Sequence, residues 1–178
     1  MAAHGGEWTT GRRREVHGLG IAAAAAVMAR YVTDGTGADV VLDEMLAAYA
    51  DLVGSGLPPM PGAVALLDDL AGRLPLPVAS NTPDPPLGAV LAAAGLDGRF
   101  TVVVGPSDGV GSKPAPDVYL AACAALGAAP AKCHALEDSA TGVAAALAAG
   151  LGVTGVSRHA RLDGCEQVVS LEELVDRF

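Results

Sequence analysis

Aromatic residues are scarce in this chain of 178 residues, at 3% of the sequence, although hydrophobic residues make up 51% of it. The core must therefore be built from alanine, valine and leucine, whose small side chains favour closely packed layers of helices on a sheet. Cysteine is also rare. The three present, Cys123, Cys133 and Cys165, show neither CxxC nor metal-ligand spacing, and they predict reduced thiols.

Basic residues are few as well, with 11 Lys and Arg against 20 Asp and Glu and a formal net charge of −9. This balance argues against nucleic acid as a partner, because nucleic-acid-binding proteins present basic patches. Residues 1–20 lack the apolar segment of a signal peptide, and the apolar run at residues 22–28 is too short to span a bilayer. We therefore predict a soluble cytoplasmic protein with no membrane partner. The sequence carries no signal for an oligomeric state.

Three stretches of the chain differ in pattern. Residues 1–9 contain two adjacent glycines and no apolar periodicity, which predicts a disordered start. Residues 10–58 predict a small helical lobe, and residues 59–178 predict alternating strands and helices. The expected strands are residues 74–80, 100–104, 133–137, 152–156 and 167–169. Such short apolar runs are typical of a parallel sheet covered on both faces, so the predicted fold class is α/β with a Rossmann-like sheet.

Polar side chains follow two of these predicted strands, at the edge where open parallel sheets bind ligands. Ser80 ends the first strand, and Glu137 with Asp138 ends the third. A serine hydroxyl at the start of a helix can hold phosphate oxygens, and Lys113 in the stiff loop before Pro114 can bring an ammonium to a phosphoryl group. Carboxylates are ligands that Mg²⁺ prefers. The order and spacing predict a Mg²⁺-dependent phosphoryl-transfer site, although each feature alone also suits a helix cap or a solvated surface.

Two motifs carry a resemblance to a known family. They are GSKPAPDVYLAACAALG at residues 111–127 and LEDSATGVAAALAAG at residues 136–150. These motifs resemble those of the haloacid dehalogenase-like hydrolases, in the branch with a helical cap near the N-terminus. That branch contains small-molecule phosphatases and β-phosphoglucomutase-like enzymes. The resemblance implies that residues 10–58 form a cap closing over a small phosphorylated metabolite.

The same resemblance implies roles for five residues. Ser80 matches the family's phosphate-binding hydroxyl, and Asn81 matches its neighbouring polar contact. Lys113 matches the catalytic lysine that neutralises the nucleophile and the phosphate. Asp138 and Glu137 match the acids that hold Mg²⁺ directly or through water.

One family motif is missing from the sequence. Asp-x-Asp-Gly-Thr, which ends the family's first strand and supplies its nucleophile and its general acid and base, does not occur. Residues 33–36 (TDGT) lack the leading Asp, and Asp43 has no second Asp at the right offset, so we reject both as nucleophiles. We expect an N-terminally truncated and nearly inactive chain. Its sheet should lack a central strand between the strands ending at Ser80 and Glu137.

Alternative functions remain open at this point. The leading interpretation is a phosphomonoester hydrolase. A sugar-phosphate mutase is the second, but His17 stands where the mutases have Lys, and an apolar residue of the loop at residues 17–21 stands where they have Arg. A non-catalytic pseudoenzyme that binds a phosphometabolite or a protein partner is the third. Dehalogenase chemistry needs no metal, so the acidic pair argues against it.

Overall fold

The structure, a computed structural model, describes residues 4–83 and 86–178. Contact clustering divides the chain into two compact units, one ending at Ser55 and the other beginning at Gly56. The helical unit contains α1 (Thr10–Val16), α2 (Ile21–Ala29) and α3 (Ala38–Gly54). The α/β unit contains α4 (Ala63–Leu70), β1 (Pro77–Ala79), α5 (Pro86–Ala93), β2 (Val102–Val104), α6 (Asp117–Ala125), β3 (His134–Glu137), α7 (Ala140–Ala148), β4 (Gly152–Val156) and β5 (Glu166–Val168).

The helical unit is built on the packing of α2 against α3. Alanines 24 and 25 of α2 are buried, and small side chains let the two helices approach closely. Helix α3 begins at Ala38, and Asp39 in its first turn is favourable at the positive end of the helix dipole. No described helix combines the length and apolar character needed to cross a bilayer.

A histidine of the predicted disordered start is held in place. Residues 1–3 of the segment predicted to be disordered, residues 1–9, lie outside the described residues. His4 contacts Asp34 through Nδ1 at 2.8 Å and Glu44 through Nε2 at 2.9 Å. The protonated ring is stabilised by hydrogen bonds first to Glu44 and then to Asp34, so the pKa of His4 lies above its usual 6.5.

The strands of the α/β unit form two parallel sheets, one of β1 and β2 and one in the order β3-β4-β5. The register pairs Val78 with Val103 in the first sheet and Ala135 with Val153 in the second. Among the described residues, β1 is paired only with β2, and β3 only with β4. The parallel α/β class predicted from the sequence is confirmed.

Helices cover the strands on both faces. On one face, α6 and α7 pack on a cluster that includes Ala135 of β3 and is joined by Ala79 of β1 and Val104 of β2. On the other face, α4 packs on a cluster joined by Leu76 and Leu136. Because neighbouring residues of a strand point to opposite faces, β3 contributes Ala135 to one cluster and Leu136 to the other. Both sheets therefore lie against the same helical layers.

Of the predicted strands, the one at residues 74–80 is shortened most in the structure. Strand β1 begins at Pro77, whereas the sequence predicted a start at residue 74. Pro75 and Pro77 have no N–H to donate, so this stretch cannot form a longer ladder. After β5, the chain forms a single 3₁₀ turn, Leu171–Leu174, which is closed at its start by a capping box between Ser170 and Glu173.

Candidate functional site

Asn81, two residues after the end of β1, holds the main chain of Lys113. The Lys113 amide donates to Asn81 Oδ1 at 2.7 Å, and Asn81 Nδ2 donates to the Lys113 carbonyl at 3.2 Å. One side-chain amide thereby satisfies both polar groups of a loop residue 32 positions further along the chain. The loop carrying Lys113 is fixed to the carboxyl end of β1.

Ser80 occupies the turn between β1 and Asn81. Its amide donates to the Val104 carbonyl at 2.9 Å, which extends the pairing with β2 by one residue. Its Oγ accepts the Thr82 amide at 3.0 Å, which shapes the turn. Gly105 lies close to this turn, and a Cβ there would overlap with the Thr82 carbonyl. The structure thus gives Ser80 a role in the turn, while its phosphate contact stays a prediction.

The side chain of Lys113 ends in a buried group of three polar residues. Its ammonium forms an ion pair with Glu137 Oε1 and donates to the Tyr119 hydroxyl at 3.3 Å. The Tyr119 hydroxyl donates to the same Glu137 oxygen. Only 10% of the Lys113 side chain and 5% of the Glu137 side chain are exposed. Lys113 therefore links the ends of β1 and β3, since Asn81 holds its main chain and Glu137 its ammonium.

The Glu137 carboxylate lies in a pocket made by α7 and α6. A Cβ at Gly142 would overlap with this carboxylate, so the glycine provides its space. Ser139 Oγ lies 3.5 Å from Glu137 Oε2 and caps α7 by accepting the Gly142 amide at 3.0 Å. Burial, and then the charge of Glu137, raise the pKa of the Tyr119 phenol far above its usual value, so this hydroxyl remains a donor.

The two acids predicted to hold Mg²⁺ differ in their surroundings. Asp138 is exposed, whereas Glu137 is buried and paired with Lys113. Among residues 4–83 and 86–178, no group of three or more His, Cys, Asp or Glu side chains is placed to enclose a metal ion. Mg²⁺ usually keeps several waters and takes one or two carboxylates. The oxygen donors of Asp138 and Glu137 fit an ion of that kind, not one enclosed by protein ligands.

The structure brings three of the five predicted site residues into direct contact: Asn81, Lys113 and Glu137. Ser80 and Asp138 adjoin two of them in the chain. Sequence reasoning missed Tyr119 and Gly142, which complete the surroundings of the Glu137 carboxylate. The motif at residues 111–127 contained Tyr119, but only the packing of α6 beside β3 reveals what its hydroxyl contacts.

Asp34, rejected from the sequence as a nucleophile, lies in the helical unit, in the turn before α3. Its carboxylate accepts the Thr36 hydroxyl at 2.6 Å and the Thr36 amide at 2.9 Å. These hydrogen bonds, followed by that of His4, lower the pKa of Asp34 to about 2. The contacts identify Asp34 as a structural residue of the turn.

Comparison with known proteins identifies the class. The haloacid dehalogenase-like hydrolase family matches residues 8–150, which is most of the chain. The chain belongs to this family of hydrolases, as its parallel sheets and the motifs around Lys113 and Asp138 predict.

Within the family, the chain is similar to two named proteins. It is 44% identical to the plasmid-encoded protein CbbY of Cupriavidus necator over 109 residues, covering 58% of this chain and 42% of the relative. It is 34% identical to the phosphoglycolate phosphatase of Rhodospirillum rubrum over 158 residues, covering 88% of this chain and 62% of the relative. The alignments with the first curated relatives span 42% to 48% of their length.

Solved structures share the fold over nearly the whole chain. The β-phosphoglucomutase of Clostridium difficile matches 97% of this chain and 81% of its own, with a TM-score of 0.83 at 19% identity. CbbY of Rhodobacter sphaeroides, solved in complex with phosphate, matches 97% of this chain and 84% of its own, with a TM-score of 0.79 at 27% identity. The similarity to the first structure supports the fold alone. The second structure is that of a protein with phosphate bound.

Proposed function

We propose that the site at the ends of β1 and β3 belongs to a Mg²⁺-dependent hydrolase of phosphate monoesters. The observation that carries this proposal is the contact chain from Asn81 through Lys113 to Glu137. It fixes an ammonium at the carboxyl edge of two parallel strands, where α/β proteins bind ligands. Similarity to phosphoglycolate phosphatase and hexitol phosphatase supports the reaction class.

Each site residue has a role in this proposal. Ser80 and Asn81 donate hydrogen bonds to the phosphoryl oxygens, and the Lys113 ammonium offsets their charge. Asp138 holds Mg²⁺, with Glu137 as a second oxygen donor directly or through water. When bound, Mg²⁺ supplies a positive charge that polarises the phosphoryl group. Glu137 keeps the ammonium in place during the reaction.

The proposed substrate is a small phosphorylated metabolite, with sugar phosphates as the first class to test. Relatives are named for fructose 1-phosphate and hexitol phosphates, and one CbbY structure contains xylulose 1,5-bisphosphate. Because the relatives are named for different phosphorylated compounds, the substrate must be found by screening.

Because the sequence contains no Asp-x-Asp-Gly-Thr motif, we propose that this chain of 178 residues binds phosphate but has very low turnover. A sugar-phosphate mutase is the second enzyme candidate, favoured by 32% identity to the β-phosphoglucomutase of Bacillus subtilis and disfavoured by His17. The genomic sequence before Met1 separates a truncated enzyme from a pseudoenzyme. An in-frame strand ending in the motif supports the enzyme, whereas stop codons there support the pseudoenzyme.

Phosphate binding tests the proposed site on the chain as it exists. We expect Lys113→Ala to weaken the affinity for inorganic phosphate, measured by calorimetry with Mg²⁺ present, by about 10-fold or more, because it removes a charged hydrogen bond. Lys132→Ala is the matched control, since Lys132 is exposed. Equal affinities of the wild type and Lys113→Ala would remove Lys113 from the phosphate site.

The metal assignment has its own test. We expect Mg²⁺ to tighten phosphate binding to the wild type and to lose most of this effect in Asp138→Asn, because the amide replaces a charged oxygen ligand. Asp163→Asn is the control, as its side chain is 87% exposed and paired with Arg161. If Asp138→Asn keeps the full response to Mg²⁺, Asp138 is not a metal ligand.

A further inference from the structure

The hydroxyl of Tyr119 contacts both members of the buried ion pair. It accepts a hydrogen bond from the Lys113 ammonium at 3.3 Å and donates one to Glu137 Oε1. The ammonium also lies 4.8 Å from the centre of the Tyr119 ring, within the range of a cation–π interaction. We infer that Tyr119 is a positioning residue that fixes the direction of the Lys113 ammonium at the strand ends.

Burial indicates that Tyr119 acts through Lys113. Tyr119 is 7% exposed and belongs to the core cluster under α6 and α7. Its hydroxyl donates its one proton to Glu137 and accepts a hydrogen bond from the Lys113 ammonium. Both of these partners are groups of the protein. A group in this position holds the ammonium without contacting a ligand. Its effect on catalysis rests on the proposed function, whereas its effect on Lys113 does not.

The restraint from Tyr119 is geometric. An ion pair alone leaves a long, flexible lysine free to rotate about its carboxylate partner, because the ammonium is a point charge with three equivalent donors. A second acceptor, the Tyr119 hydroxyl on α6, removes this freedom. Asn81 fixes the main chain of the same residue, so Lys113 is restrained at both ends. The remaining ammonium proton then has one direction in which to meet a ligand.

The chain offers a direct measurement, because it contains only two lysines, Lys113 and Lys132. Competitive acetylation of the folded chain with acetic anhydride, followed by mass spectrometry, gives the ratio of their labelling rates. In the wild type, we expect the buried Lys113 to react much more slowly than the exposed Lys132. In Tyr119→Phe, which keeps the ring, we expect the Lys113 to Lys132 ratio to rise about 10-fold, because a hydrogen bond to a charged group is lost.

A control separates positioning from general loosening of α6. Val118→Ala creates a cavity in the same helix at a fully buried position, without touching the hydroxyl contacts. We expect this variant to leave the labelling ratio near that of the wild type. An unchanged ratio in Tyr119→Phe, or an equal rise in Val118→Ala, would overturn the inference.

Added inorganic phosphate distinguishes this inference from the proposed function. Protection of Lys113 by phosphate in the wild type, reduced in Tyr119→Phe, supports both. If phosphate gives no protection while Tyr119→Phe still raises the ratio and Val118→Ala does not, the positioning role stands and the phosphate role of Lys113 fails.

Discussion

Lys113 forms a buried ion pair with Glu137, and the stability of the fold does not explain why this pair is present. Removing two charges from water costs free energy that their attraction often fails to recover, so buried pairs are weak contributors to stability. Removing one partner is worse, at about 3–5 kcal/mol, because the other charge stays buried. The pair of Lys113 and Glu137, each at most 10% exposed at its side chain, therefore supports the proposed role of a fixed ammonium.

His4 predicts a pH dependence for the helical unit. Its pKa is raised by Glu44 first and Asp34 second, so the protonated ring binds these acids in the folded state. The resulting stabilisation is fully present below the unfolded pKa of about 6.5 and is lost as the pH rises through the higher folded pKa. We expect the helical unit to become less stable as the solution changes from mildly acidic to alkaline.

The measurement is an NMR titration of the His4 ring together with urea unfolding at several pH values. The midpoint for His4 should lie above 6.5. His4→Gln should remove this part of the pH dependence, because glutamine does not titrate. A midpoint at or below 6.5 would show that the contacts with Glu44 and Asp34 do not form in solution.

At the scale of elements, the first turn of α7 is shaped by the carboxylate beneath it. A Gly→Ala change within a helix normally stabilises by up to about 1 kcal/mol. At Gly142 the new Cβ would overlap with Glu137, so we expect Gly142→Ala to lower the free energy of unfolding by about 1–3 kcal/mol instead. Urea unfolding followed by circular dichroism measures the change.

Gly54→Ala is the matched control for that prediction. Gly54 is the last residue of α3, and a Cβ there would meet nothing within 4 Å. We expect this variant to be neutral or slightly stabilised. If Gly142→Ala behaves like Gly54→Ala, the carboxylate of Glu137 does not occupy the space beside Gly142.

Sequence patterns predicted most elements because local signals define them. The strand ending at Glu137, for example, follows from the apolar run at residues 133–137. The start of β1 was predicted too early, since an apolar run that contains Pro75 and Pro77 cannot pair along its whole length. The partners of Glu137 were missed because Tyr119 lies 18 residues away in sequence, where no local pattern operates.

At the scale of the whole molecule, the described strands form two separate sheets, β1-β2 and β3-β4-β5. In the described part of the chain, β3 is paired on one side and β4 on both sides. Strand edges with unpaired amides exchange hydrogen quickly and invite pairing with other chains. We therefore expect amides of β1 and β3 to exchange faster than those of Gly152–Val156, measured by hydrogen–deuterium exchange with mass spectrometry.

The dependence of hydrogen exchange on protein concentration also tests whether the edges of β1 and β3 are unpaired. We expect the chain to associate as its concentration rises, with exchange at β1 and β3 slowing while that of β4 stays constant. Strand β4 serves as the internal reference, because β3 and β5 already pair with it. Equal exchange in β3 and β4 at low concentration would show that the edge of β3 is protected.

The fold class and the placement of Ser80 and Glu137 at or beside strand ends could both be predicted from the sequence. Alternating strands and helices imply parallel pairing, and parallel strands bring Ser80 and Glu137 to carboxyl ends. The contacts of Asn81 could not be predicted in detail, because a side-chain amide that holds a loop main chain 32 residues away has no periodic signature.

The pairing of Lys113 with Glu137 has a consequence for how an anion would reach the site. The two opposite charges cancel at a short distance, and the chain as a whole carries a net charge of −9. An approaching anion therefore meets repulsion at long range and attraction only within hydrogen-bonding distance. Ionic strength should then favour the encounter by screening the repulsion, the opposite of a site that draws its ligand in by long-range steering.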